Sequence, residues 1–65
     1  MDTETKILRI AQVVEMTGLR KSTVEFYIRK GTFPRPIKLG PKASGWIASE
    51  VQFWIRERIA ASRGQ

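Results

Sequence analysis

The sequence predicts a small, mainly helical domain carrying one short β-hairpin wing, a winged helix-turn-helix built on three helices. Three observations predict it. Two short apolar-periodic segments are joined at Thr17-Gly18-Leu19, two β-type segments flank the turn formers Gly40-Pro41-Lys42-Ala43-Ser44, and an amphipathic stretch opens near Ser49. With 65 residues the chain makes a single domain, one that buries only about 60% of its unfolded surface.

Residues 1–6 are polar and are expected to form a frayed tail ahead of an ordered domain over 7–62, with 63–65 as a frayed end. The first helix is predicted from Ile10 to Met16, because Ile10, Val13, Val14 and, in part, Met16 fall on one stripe. Thr17-Gly18 ends it, since glycine enters the left-handed region that a helix cap requires. Leu19 is then expected to drop into the core. The second helix is predicted over Lys21–Lys30, with Arg20 or Lys21 near its cap and Gly31 just past its end. Val24, Tyr27 and Ile28 share an inner face, leaving Lys21, Ser22, Glu25, Phe26 and Arg29 outside. An exposed Phe26 is unusual on such a helix. It is expected to tuck against the first helix or the following loop, with contact to a thymine methyl as the alternative.

Pro34 and Pro36 push their preceding residues toward extended backbone, so the helix cannot continue through Thr32–Arg35. Ile37–Leu39 and Gly45–Ile47 read as the two strands of the hairpin, with Lys42 at the tip of the loop between them. The spacing of Ser49 and Gln52 is that of a capping box and predicts the start of the third helix at Ser49. Its stripe is Val51, Trp54, Ile55 and Ile59, and Phe53 lies off it. Phe33, Trp46 and Trp54 are taken as core anchors, because aromatics at such spacings are more often packing than base-stacking surfaces.

Charge then singles out one window. Of 12 Lys and Arg against 6 acids, seven cations and the single acid Glu25 lie between Arg20 and Lys42, so this window carries the whole net charge of +6. The flanks balance. A basic block within a neutral frame points to a polyanionic partner. The chain has no Cys and no His, which excludes thiolate or imidazole zinc sites and histidine-based nucleophilic catalysis. No enzyme, metal or cofactor is expected. The absence of a long apolar run and the polar start argue against a membrane span and a signal peptide, so a cytoplasmic location is expected.

The predicted partner is double-stranded DNA, with helix 21–30 in the major groove and the wing, residues 38–46, on the backbone or minor groove. Ser22 and Thr23 would lie near phosphates or base edges, with Lys21, Glu25 and Arg29 reaching further. Arg20, Lys30, Lys38 and Lys42 would clamp phosphates, and Phe26 and Ser44 complete the candidate set. For Thr23 the alternative is a hydroxyl that merely satisfies a backbone amide. Glu25 either accepts from a cytosine amino group or repels phosphates and sharpens register.

The ordered set Val13-Val14-Glu15-Met16-Thr17-Gly18-Leu19, Lys21-Ser22-Thr23-Val24, Arg29-Lys30-Gly31-Thr32-Phe33-Pro34-Arg35-Pro36-Ile37-Lys38-Leu39-Gly40 and Gly45-Trp46 resembles the AlpA family of small phage and prophage regulators. The resemblance covers about residues 7 to 62, and its most distinctive pieces are the Thr-Gly-Leu turn, the Gly-x-Phe-Pro-x-Pro passage and the late Gly-Trp. It implies a winged helix-turn-helix similar to excisionases and MerR regulators. It also implies a transcription regulator, often of a nearby integrase gene, or a recombination directionality factor. The chain departs from that family at Glu25 and Phe26, where members often carry Tyr and then a basic residue, so no base preference carries over.

One module of this size buries only about 600–1,000 Å² on DNA, too little to select one genomic site, so more than one copy is expected. A homodimer, a cooperative head-to-tail oligomer and an integrase partner are the forms considered. Phe53 and the segment Ile59–Ser62 are the expected contact surface between copies. A small-molecule ligand is not expected. The rival readings are a protein-interaction module, such as a phage antirepressor using Phe26 and Phe53, and a binder of RNA or single strands.

Overall fold

The computed structural model describes residues 5–64, in the order β1 (Ile7–Leu8), α1 (Ile10–Thr17), α2 (Lys21–Lys30), β2 (Ile37–Gly40), β3 (Ala43–Ile47) and α3 (Ala48–Arg63). Three helices and an antiparallel hairpin are present, as the sequence predicts. Most of the predicted tail and the last residue lie outside the described residues.

Both early helices end as the glycines require. Gly18 (φ 74°) and Gly31 (φ 81°) adopt the left-handed conformation, which an L side chain enters only at a cost of about 1–2 kcal/mol. At Gly31 the closure is a Schellman motif, with the Gly31 amide donating to the Ile28 carbonyl and the Thr32 amide to the Tyr27 carbonyl, each at 3.0 Å. The α1–α2 turn is stapled by Thr17, whose hydroxyl donates to the Val13 carbonyl at 2.8 Å and accepts from the Leu19 amide at 3.2 Å.

The sheet holds a strand that the sequence reading lacked. β1 pairs antiparallel with β3, Ile7 opposite Ile47 and Leu8 opposite Trp46, giving the strand order β1-β3-β2. The hairpin turn is also tighter than predicted. β2 extends to Gly40 and β3 begins at Ala43, leaving Pro41-Lys42 as the turn, and a register shift between Lys38 and Gly40 makes Leu39 the extra, bulged residue.

The predicted capping box at Ser49 does not form. Ile47 is the cap residue of α3 and makes no side-chain cap bond. The reason is the added strand: the Lys6 carbonyl accepts from the Ala48 amide at 2.8 Å, so the β1–β3 ladder runs straight into the helix and leaves Ser49 inside its first turn. A capping contact appears instead on α1, where the Gln12 side-chain oxygen accepts from the Arg9 amide at 2.9 Å.

Leu8, Val13, Val24, Phe33, Trp46 and Val51 form the buried core, with Leu19, Tyr27, Ile28, Trp54 and Ile55 packed against it. The stripe of α3 is buried less far than its periodicity implies. Val51 is fully buried and Trp54 and Ile55 are half-buried, but Ile59 is 46% exposed, because it borders an open cleft with Thr17, Leu19 and Tyr27 rather than the closed core. Among the described residues, no helix is long and apolar enough to cross a membrane.

Gly45 is needed for close approach rather than for a turn. A Cβ there would lie 2.5 Å from Ile7 Cγ2, 3.0 Å from Leu39 Cδ1 and 3.1 Å from the Leu8 carbonyl oxygen. We predict that Gly45→Val destabilises the domain by about 1–3 kcal/mol through overpacking, read as a lower urea midpoint. An unchanged midpoint would mean that β1 does not lie on β3.

Candidate nucleic-acid interface

The candidate residues are placed by two elements, α2 and the hairpin. On α2, Arg20 is the cap residue with extended backbone (φ −72°, ψ 154°) and no side-chain cap bond. The first intrahelical bond runs from the Val24 amide to the Arg20 carbonyl at 3.0 Å. The amides of Lys21, Ser22 and Thr23 therefore have no partner within the helix, and with the helix dipole they make an end that favours an anion. Lys21 and Ser22 are exposed and Thr23 is half-buried. The alternative for Thr23 is not realised: its hydroxyl makes no hydrogen bond to a described residue.

Further along, Glu25, Phe26, Arg29 and Lys30 are all exposed. Phe26 is not buried. It stays 45% exposed, with its ring 5.8 Å from that of Tyr27 and beneath the Lys30 Nζ at 5.5 Å. The inner row of α2 is filled by Val24 and Ile28, and Phe26, two positions or about 200° of helix away from both, points out of the core.

The hairpin brings Lys38 and Ser44 together. They are cross-strand partners and both are exposed, so the two side chains leave the same face of the ladder. Lys42 sits in the two-residue turn, also exposed. No hydrogen bond, ring contact or salt bridge among the described residues joins the α2 group to the hairpin group, so they stand as two separate exposed cationic elements. Neither is neutralised internally, which leaves both available to an outside anion.

The sequence reading passed over two features of this region. One is the uncapped end of α2, whose signal was legible in the absence of Ser, Thr, Asp or Asn at Arg20. The other is a groove of ≈ 1080 Å³ beside α3, lined among others by Phe33, Ile37, Glu50, Phe53, Trp54 and Glu57. Phe53 is 60% exposed there.

Residues 6–59 match the family model described as Prophage CP4-57 regulatory protein (AlpA). The chain is 41% identical over 61 residues to the "Uncharacterized protein ORF88" of Enterobacteria phage P4, covering 94% of this chain and 69% of that protein. It is 32% identical over 59 residues to the "DNA-binding transcriptional activator AlpA" of Escherichia coli (strain K12), covering 82% of this chain and 84% of that protein. With a family match spanning most of its length and a relative 32% identical that it covers to 84%, the chain belongs to the AlpA family of prophage regulatory proteins.

Proposed function

We propose that this chain binds double-stranded DNA as a small prophage-type transcription regulator or recombination directionality factor. In this reading α2 enters the major groove and the hairpin, residues 38–46, lies on the backbone or minor groove. The observation that carries it is the pair of exposed cationic elements, α2 with its uncapped N-terminus and the Lys38–Ser44–Lys42 hairpin, left unneutralised by any described acid. The relative in Escherichia coli (strain K12) named a DNA-binding transcriptional activator supports it.

Within this mechanism Arg20, Lys30, Lys38 and Lys42 hold phosphates, which fixes position without reading sequence, while Lys21, Ser22, Thr23, Glu25, Phe26 and Arg29 are placed toward base edges. Ser44 accompanies Lys38 on the hairpin. Several copies act together, because one module buries too little DNA surface to define a site. We place the contact between copies at Phe53 and the exposed end of α3, on a site that an integrase would share in the recombination role.

The test is the salt dependence of binding to a duplex. If these four cations neutralise phosphates, log affinity falls against log salt with a slope of about −3.6, from about −0.9 per contact. A flat response overturns the proposal. The groove at Phe53 favours a second reading, a protein-interaction module. In that case Arg29→Ala with Lys42→Ala leaves partner binding intact, whereas duplex binding by a regulator collapses.

A further inference from the structure

We propose that Arg58 is a positioning residue for α2: its guanidinium, laid against Tyr27 and Trp54, fixes the roll of that helix and so decides which side chains the helix presents. The consequence for DNA rests on the function proposed above, but the hold on α2 does not.

Val24 is the fully buried residue of α2, and Ile28, one turn later, packs against the same core. Residues four apart lie in one row along a helix, so these two pin the helix along a line and leave it free to roll about that line. Tyr27 lies about 100° around the axis from Ile28 and supplies the missing restraint. Its ring centroid is 6.0 Å from that of Trp54. The Arg58 guanidinium carbon stands 5.0 Å from the Tyr27 ring and 4.9 Å from the Trp54 ring, within the range of cation–π attraction to both.

Trp54 is itself a fixed platform. Its indole N–H donates to the Thr32 carbonyl at 2.6 Å, and its ring meets Phe33 edge-on at 4.8 Å. Thr32 belongs to the Schellman closure of α2. Arg58 projects one turn after Trp54 on the same side of α3, so the guanidinium closes a loop of contacts from α3 to the cap of α2 and back through Tyr27. It also lines both the groove beside Phe53 and the smaller cleft against Leu19. Its charge is committed to two aromatic faces in the resting molecule, unlike those of Lys21 or Lys42.

The leverage is large. With side-chain tips about 5–6 Å from the helix axis, a roll of about 10° moves them by about 1 Å. That displacement takes a base-edge hydrogen bond out of geometry, whereas a phosphate contact from a long lysine follows the movement. A clamp on roll therefore acts on sequence discrimination more than on general affinity.

The test uses the intact chain and the variants Arg58→Ala and Arg58→Lys. The lysine keeps the charge but lacks the planar guanidinium that stacks on rings. Residual dipolar couplings of backbone amides report the orientation of α2 relative to α3 without DNA. Binding is compared on a duplex enriched by the wild-type chain from a random pool and on a shuffled duplex of the same length.

Both variants are expected to shift or average the α2 couplings relative to α3 while those of α1 and the sheet stay in place. On DNA, both are expected to weaken the enriched duplex by about tenfold and the shuffled duplex by less than about twofold, with the salt slope unchanged. Wild-type couplings in Arg58→Ala overturn the proposal, as does wild-type discrimination in Arg58→Lys. A slope shallower by about 0.9 makes Arg58 a phosphate contact instead. Equal weakening of both duplexes that recovers on cooling makes it a general stability residue. If the wild-type chain enriches no duplex, the DNA reading fails and the couplings alone decide the hold of Arg58 on α2.

Discussion

Replacing Trp46 by Ala is expected to cost the domain about 3–5 kcal/mol, which is much or all of its stability at 25 °C. Trp46 is 6% exposed and sits on β3, the central strand, opposite Leu8 of β1. Its indole N–H donates to the Pro34 carbonyl at 3.0 Å, which pins the proline segment leading from α2 to the hairpin. Truncating a buried Trp to Ala costs about 3–5 kcal/mol. A domain of this length has a total of about 3–10 kcal/mol at about 0.05–0.15 kcal/mol per residue, with no disulfide to supplement it. The loss therefore consumes much or all of the stability. Trp46→Phe keeps most of the ring but orphans the Pro34 carbonyl, and a smaller loss of about 1–3 kcal/mol is expected. Urea unfolding followed by circular dichroism separates the two. A Trp46→Ala variant with the wild-type midpoint would show that the tryptophan is not a core anchor.

What the sequence made legible was mainly local. The ends of α1 and α2 could be read because only glycine enters the left-handed region cheaply, and Gly18 and Gly31 stand where the apolar periods stop. The bounds of α2, from Lys21 to Lys30, match the reading. β1 was illegible because two residues have no period, and the partners of Ile7 and Leu8, Ile47 and Trp46, lie beyond both early helices and the first hairpin strand. That missing pair also explains the false capping box, since the Ala48 amide is satisfied by Lys6 rather than by a side chain of its own helix. Ile59 carried a valid helical period, but nothing in that period said that it borders an open cleft rather than the closed core.

The candidate site divides the same way. Exposure of Lys21, Ser22, Glu25 and Arg29 followed from the inner row of Val24 and Ile28. The pairing of Lys38 with Ser44 needed the exact register, which a one-residue bulge at Leu39 sets. In the sequence Arg58 is one of the flanking charges that balance. Its two aromatic partners become visible only when α2 and α3 are brought together.

The largest effect expected on DNA binding comes from removing both hairpin cations, Lys38→Ala with Lys42→Ala. Both side chains are exposed and neither belongs to the core, so the substitutions should change stability by no more than about 0.5 kcal/mol. Loss of two phosphate contacts should flatten the salt slope by about 1.8 and weaken binding about 60-fold near 0.1 M salt, from about 0.9 log units per contact. Because phosphates carry no base identity, the factor should be the same for every duplex tested. Lys38→Arg with Lys42→Arg should restore most of it, since charge rather than shape makes these contacts. Substitutions on α2 should behave oppositely: Glu25→Gln or Arg29→Ala is expected to reorder preference among sequences, with each lost bidentate base contact costing about 1–3 kcal/mol at one position. An unchanged slope in the double alanine variant would take the hairpin off the duplex and leave α2 alone as the interface. A loss confined to particular sequences would instead make the hairpin a reader of the minor groove, where width and A·T content, not charge alone, set the contact.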